Sequence, residues 1–190
     1  MKRLIVLIIL VTILSSVINA QNDSSGIYFS AQDFVNHKLS YAINCKSEKH
    51  RIRLNDFFNK PFITVKHLDS SYRLYKNKVF GFRTCGGNTI RFDKQKELIL
   101  LNPGEAILIY RHDVAKPPKG LTNVTNYYFS IGAYAPVQSL TFKNLKKALP
   151  DNQKFYKEID SMFKYNTELT AYDNHSKMFM LNWIYKHSLE

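Results

Sequence analysis

The sequence has few of the local motifs by which the common enzyme classes are recognised. It contains no glycine-rich phosphate-binding loop, no G-x-S-x-G nucleophile turn and no H-E-x-x-H zinc motif. Glycine accounts for only 7 of 190 residues, and there are only 2 cysteines. The missing motifs argue against ordinary nucleotide-binding, serine-hydrolase and zinc-protease chemistry. The low cysteine count excludes a small domain held together by many disulfides.

The composition that remains is that of a basic globular protein. Hydrophobic residues make up 45% of the chain and aromatic residues 14%, which is enough to bury a sizeable core. Lys and Arg outnumber Asp and Glu by 27 to 15, so the formal net charge is +12. The cations are scattered, which predicts an ordinary solvated basic surface. The alternative partner is an anionic surface or envelope component; we expect no specific nucleic-acid binding.

The only long apolar run stands at the start of the chain. Lys2 and Arg3 precede a largely apolar run, residues 4–14, and a segment containing Ser15, Ser16, Asn19 and Ala20 follows it. This pattern is typical of a signal peptide, so we predict that residues 1–20 are cleaved and that the protein is secreted or periplasmic. The alternative is an uncleaved anchor, although spanning a bilayer takes about 20 apolar residues. We expect no transmembrane segment after cleavage.

Hydrophobic periodicity predicts a sheet part followed by a helical part. Residues 39–137 contain about six to seven short runs with the period of two expected of strands, separated by turn residues. Residues 139–188 change to the helical period. We therefore predict a single α+β domain over residues 21–190. It should be an antiparallel β-meander with two to three C-terminal helices packed on one face or end.

Capping residues predict where the helices begin. A short N-terminal helix is expected after Ser30, with Asp33 in the position of a capping-box acid. Thr141 and Asp151 are the expected caps of the next two helices. A last helix is expected from about residue 174 to residue 187.

The two cysteines allow three interpretations. Cys45 and Cys85 would form a disulfide in an exported protein, because disulfides persist outside the cytosol. They could instead be two separate thiols that pack as small hydrophobic side chains. In the third interpretation Cys85 is a nucleophile, activated by neighbouring arginines and by a base such as His112. We favour the disulfide.

The stretch FRTCGGNTIRF around Cys85 predicts a β-hairpin whose register follows from polarity. A loop of the two glycines alone would mix aromatic and charged side chains on each face. A three-residue loop, residues 86–88, separates polar from apolar side chains. In that register Arg83 pairs with Arg91, and Phe80 shares the apolar face.

Chemistry-bearing residues elsewhere form no recognisable constellation. Arg83, Arg91 and His112 are the candidate members of a polar, basic patch. Asp113 follows His112, but adjacent strand residues point to opposite faces, so we predict no metal site there and no cofactor. A glycosidase-type carboxylate pair stays open, because such pairs depend on the fold and not on spacing. We assign no catalytic residue.

Two segments carry a resemblance to a known group of proteins. They are the run LTFKNLKKALPDNQKF, residues 140–155, and the start GIYFSAQDF, residues 26–34. With them the chain resembles an uncharacterised family of secreted proteins from Gram-negative bacteria. The resemblance covers most of residues 21–190 and implies an exported protein. It implies no activity and transfers no site residues.

These observations leave three hypotheses for function. The first is a non-enzymatic binding or accessory module of the cell envelope or exterior, and we lean towards it and away from an enzyme. The second is a secreted hydrolase that uses Cys85 or a carboxylate pair. The third is a binder of anionic surfaces or polymers through the basic surface.

Overall fold

A computed structural model describes residues 24–48, 51–54, 60–114 and 125–190 of the chain. The predicted signal peptide, residues 1–20, lies outside these ranges. The chain divides into two compact units, Met1–Gln95 and Lys96–Glu190. Both contain antiparallel sheets, and the α+β class is confirmed. The single domain expected over residues 21–190 stays a prediction.

The first unit carries two antiparallel sheets and one α-helix in its described residues. Strands pair in the order β7-β6-β1-β2 in one sheet and β3-β4-β5 in the other. The strands are β1 (Ser24–Tyr28), β2 (Ser40–Asn44), β3 (Arg51–Arg53), β4 (Phe62–His67), β5 (Ser70–Tyr75), β6 (Gly81–Arg83) and β7 (Thr89–Asp93), the helix is α1 (Ala31–Val35), and a 3₁₀ turn covers Lys76–Lys78. The predicted simple meander is therefore wrong here, because β1 lies between β6 and β2.

The predicted start of α1 is confirmed. The Ser30 side chain accepts a hydrogen bond from the Asp33 backbone N–H at 3.0 Å, and Asp33 accepts one from the Ser30 N–H at 3.0 Å. Two otherwise unpaired donors of the first turn are satisfied in this way. Phe34 is the buried side chain of this short helix.

The core of the first unit lies against the inner face of the three-stranded sheet. Ile63 and Val65 of β4 are fully buried there. They cluster with four further buried side chains, Ile27, Val79, Phe82 and Phe92. Alternate residues of β4 therefore point to the core, as the period of two predicts, and the intervening residues point away from it.

The register predicted for the β6–β7 hairpin is wrong by one loop position. The Thr84 N–H donates to the Asn88 carbonyl at 2.9 Å, so the loop comprises residues 85–87. Arg83 pairs with Thr89, and Arg91 pairs with Gly81. In both registers odd-numbered residues pair with odd-numbered residues, so each face of the hairpin carries the same side chains. The polarity of the two faces therefore could not show which register is correct.

Phe80 is also on the wrong face in the prediction. Its ring stacks on Phe34 with 5.2 Å between centroids, and Val79 joins Phe82 in the core instead. The strand alternation is interrupted next to Gly81, where an added Cβ would lie 2.1 Å from the Ile90 carbonyl oxygen. Only glycine permits this close approach of two backbones.

The second unit is a meander followed by helices, as predicted. Strands β8 (Lys96–Leu100), β9 (Ile107–Asp113), β10 (Thr125–Ile131) and β11 (Gln138–Ser139) pair in chain order. The helices α2 (Phe142–Ala148), α3 (Gln153–Met162) and α4 (Met180–His187) follow, with a 3₁₀ turn at Asn166–Thr170. Ile107, Ile109 and Phe129 of the sheet share one buried cluster with side chains of all three helices.

Three predicted details of the second unit are corrected. The cap of α3 is Asn152, not Asp151, because the Asn152 side chain accepts from the Phe155 N–H at 2.9 Å. The last helix begins at Met180 and not near residue 174. A short hairpin precedes it, formed by β12 (Tyr172–Asp173) and β13 (Met178–Phe179). The described chain thus has thirteen strands, more than the six or seven predicted, and four of them fall outside residues 39–137.

Hydrogen bonds explain why residues 172–179 form a hairpin and not a helix. The Asp173 carboxylate accepts from the backbone N–H groups of His175 and Ser176, both at 3.0 Å. Hydrogen bonds from Ser176 and His175 lower the pKa of Asp173 to about 2, so the carboxylate stays ionised and holds the turn. Lys177 adopts a φ of 56°, which ends any helical path.

Candidate anion-binding face

Cys45 and Cys85 form a disulfide in the structure, with 5.6 Å between their Cα atoms. This spacing lies within the range of native disulfides. Neither cysteine is a free thiol, so Cys85 cannot act as a nucleophile in this form. The bond instead closes the segment that carries β3, β4 and β5.

Arg83 and Arg91 lie two residues apart in the β6–β7 register, and each is engaged with an aromatic side chain. Burial raises the pKa of the Tyr28 hydroxyl, while the charge of Arg83 and its hydrogen bond to that hydroxyl partly offset the effect. The Arg91 guanidinium lies 4.9 Å from the centre of the Phe80 ring. Both arginines therefore support packing within the first unit.

His112, the third member of the predicted patch, belongs to the second unit. Its Nδ1 lies 3.1 Å from the Glu97 carbonyl oxygen, and its ring lies 6.4 Å from that of Tyr128. Within the described residues, no three His, Cys, Asp or Glu side chains are grouped closely enough to hold a metal ion. The three-residue patch stays a prediction.

The structure points to a different surface, the outer face of the β3-β4-β5 sheet. Cross-strand partners share a face, so the pairs of Arg53 with Thr64 and of Thr64 with Arg73 place two arginines on one row. Lys66 pairs with Ser71 on the next row. These positions alternate with the buried Ile63 and Val65, so their side chains point away from the core.

Aromatic rings complete this face beside the cations. Phe62 pairs with Tyr75, and their ring centroids lie 6.3 Å apart. The Arg73 guanidinium lies 4.5 Å from the centre of the Phe62 ring, and the Lys60 ammonium 5.7 Å from it. Tyr75 is 51% exposed. We call Arg53, Phe62, Lys66, Arg73 and Tyr75 the basic sheet face.

This face carries three cations. The backbone register pairs them with Thr64, Ser71 and Arg51, and none of these cross-strand partners is a carboxylate. Arg53, Lys66 and Arg73 are exposed in the first unit. Arginine offers a planar fork of donors that matches phosphate, sulfate and carboxylate groups, and lysine adds a mobile point charge. The face can therefore bind anionic groups at several points.

A polar cavity adjoins the basic sheet face at the β4–β5 turn. It has a volume of about 550 Å³, and its walls include Glu48, Lys66, His67, Leu68, Asp69, Ser70 and Ser71. Lys66 is common to the cavity and to the basic sheet face. Glu48 and Asp69 give the cavity the negative charge that the face itself lacks.

The sequence contained a signal for this face that its interpretation missed. Phe62, Thr64 and Lys66 alternate with apolar residues, which is the pattern of a strand with one buried and one polar side. Spacing along one strand could not show that Arg53 and Arg73 would join them. That juxtaposition depends on pairing across three strands.

The fold and the site define an antiparallel α+β protein with a disulfide and a basic, aromatic sheet surface. No family model, curated protein or solved structure matches this chain. The disulfide is consistent with an extracellular or periplasmic location. In the ranges that the structure describes, none of the helices has the length and apolar character needed to cross a bilayer.

Proposed function

We propose that this chain is an exported, non-enzymatic binding module that holds anionic groups of an envelope or extracellular surface through the basic sheet face. The observation that carries the proposal is the placement of Arg53, Lys66 and Arg73 on one exposed face without a carboxylate among their cross-strand partners. A merely solvated basic surface would not need these cations beside the half-buried Phe62 and the exposed Tyr75.

The electrostatic free energy expected from three cations is enough for binding to an anionic surface. A lysine or arginine near an anionic surface contributes about 1 kcal/mol at physiological ionic strength. Three such residues give an attraction of about 3 kcal/mol, before any contribution from the aromatic rings. The interaction should weaken as salt is added, because the Debye length falls from about 10 Å at 0.1 M to about 3 Å at 1 M.

The hydrolase alternative has less support. A hydrolase that uses Cys85 needs a free thiol at this position, but the Cys85 sulfur is bonded to Cys45 in the disulfide. Its carboxylate version would use Glu48 and Asp69 in the polar cavity. The general acid of such enzymes lies in an apolar pocket, whereas Glu48 and Asp69 are both exposed.

Removing two charges from the basic sheet face should weaken binding strongly. We expect the double variant Lys66→Gln, Arg73→Gln to bind vesicles rich in phosphatidylglycerol about 30-fold more weakly, because two cations contribute about 2 kcal/mol. Retention on a dextran sulfate column should fall as well. Both substitutions lie on exposed strand positions, so the fold should tolerate them.

A matched control separates a site from overall charge. Lys143 and Lys147 are exposed residues of α2 in the second unit, and changing both to Gln removes the same two charges. That control should retain nearly wild-type binding to both probes. Equal losses in the two double variants would contradict the proposal and leave only non-specific attraction by net charge.

A further inference from the structure

We propose that the anionic surface is a lipid membrane and that Leu68, at the tip of the β4–β5 hairpin, inserts into its headgroup region. The inference rests on the proposed function and names its target. It arises from the position of Leu68, which is at once highly exposed, apolar and next to the basic sheet face.

Leu68 is the most exposed of the large hydrophobic side chains in the described residues. Leu68 is 76% exposed, compared with 0% for Ile63 and Val65 in the same hairpin. Single exposed leucines are common on protein surfaces. This one stands at the tip of a two-residue loop, since His67 and Ser70 form the last pair of the two strands. A tip position lets the side chain reach a surface before the rest of the hairpin.

The backbone at Leu68 is also unfavourable for leucine. Its φ is 43°, in the left-handed region that glycine, asparagine and aspartate adopt far more readily. Two-residue hairpin loops of this kind prefer Asn or Gly. Leucine is therefore present despite both its exposure to water and its conformation, and strain of this kind is found at functional positions.

The neighbours of Leu68 fit a membrane interface. Lys66 lies two residues before Leu68 in the chain. Arg73 and Arg53 lie further from the tip, on the same outer face of the sheet as Lys66. Peripheral membrane segments combine an apolar insertion with cations at the headgroups. A soluble polyanion would gain little from an exposed leucine.

Two acidic residues near Leu68 oppose binding to anionic lipids, so removing one of them should strengthen vesicle binding. Asp69 follows Leu68 directly, and Glu48 lies on the wall of the same cavity. Their charges repel anionic lipids, so binding should be reversible and of moderate strength. Asp69→Asn should therefore bind phosphatidylglycerol vesicles a fewfold more tightly than the wild type.

The decisive variant is Leu68→Asn, because it separates binding from folding. Asparagine suits a positive φ, so the urea midpoint of Leu68→Asn should equal or exceed that of the wild type. Its affinity for vesicles of phosphatidylglycerol and phosphatidylcholine should fall about tenfold, equivalent to about 1.4 kcal/mol. The matched control is Leu189→Asn, which replaces a leucine of the second unit that is 66% exposed. That control should leave vesicle affinity unchanged.

The possible failures are distinguishable. If Leu68→Asn binds vesicles as tightly as the wild type while Lys66→Gln, Arg73→Gln binds them weakly, insertion is refuted and the basic sheet face stands. If the wild type binds dextran sulfate but not vesicles, the lipid target is refuted and a soluble polyanion replaces it. If it binds neither probe, the proposed function itself fails, and the inference fails with it.

Discussion

Replacing both Cys45 and Cys85 with serine should lower the free energy of unfolding by about 4 kcal/mol. The cysteines are 40 residues apart in sequence, and closing a loop of that length restricts the unfolded chain by about this amount in the chain-entropy model. The loop contains β3, β4 and β5, so the loss should fall on the sheet that carries the basic face. Urea unfolding followed by tyrosine fluorescence measures it.

Reduction provides the control for this prediction. Wild-type protein in dithiothreitol should unfold at the same urea concentration as the double serine variant, whereas the variant should not respond to dithiothreitol. A change of less than about 1 kcal/mol would show that the three-stranded sheet is held by its core alone. The vesicle affinity of the variant, measured well below its urea midpoint, should stay close to that of the wild type.

Replacing Phe155 with alanine should destabilise the second unit by about 3–5 kcal/mol. Phe155 is fully buried in the cluster that joins α3 to Ile107, Ile109 and other core residues. Its ring meets that of Tyr185 edge-on with 6.0 Å between centroids. Truncation removes apolar contact and leaves a cavity that neighbouring side chains fill only in part. Thermal and urea unfolding both report the loss.

Met162→Ala is the matched control for Phe155 on the same helix. Met162 is 46% exposed at the end of α3, so its truncation should change stability by about 0.5 kcal/mol or less. A similar loss of stability in the two variants would contradict the structure, because it would mean that Phe155 is not on the buried face of α3.

Local patterns along the chain predicted most of the elements. The period of two in residues such as Phe62 to His67 gave the strands their positions, because one sheet face is buried and the other is not. The capping box of Ser30 and Asp33 gave the start of α1, because it satisfies backbone donors locally. The α+β class followed from the order of these patterns.

The same local patterns could not predict which strands pair when they are distant in the sequence. β1 inserts between β6 and β2, and its partner residue Phe82 lies 55 positions from Ile27 in the chain. The β6–β7 register depended on which residue takes the left-handed conformation. Gly87 takes it with a φ of 81°, whereas the predicted loop ended at Asn88. Two registers with the same polarity could not be separated without that backbone angle.

The candidate site was missed for a related reason. Composition predicted a basic exterior, but Arg53, Lys66 and Arg73 are brought together only by the pairing of three strands. Sequence analysis had instead singled out Arg83 and Arg91, which the fold uses against Tyr28 and Phe80. Charge density along a chain does not show which cations share a face.

The most direct measurement of the central claim is the acetylation rate of individual lysines, followed by mass spectrometry, with and without phosphatidylglycerol vesicles or dextran sulfate. Bound anionic groups on the basic sheet face should shield Lys66 and slow its acetylation several-fold. Lys143 and Lys147 of α2 serve as internal references in the same molecule, and their rates should not change. Slowing of Lys143 and Lys147 with no effect on Lys66 would place the binding surface elsewhere and contradict the account.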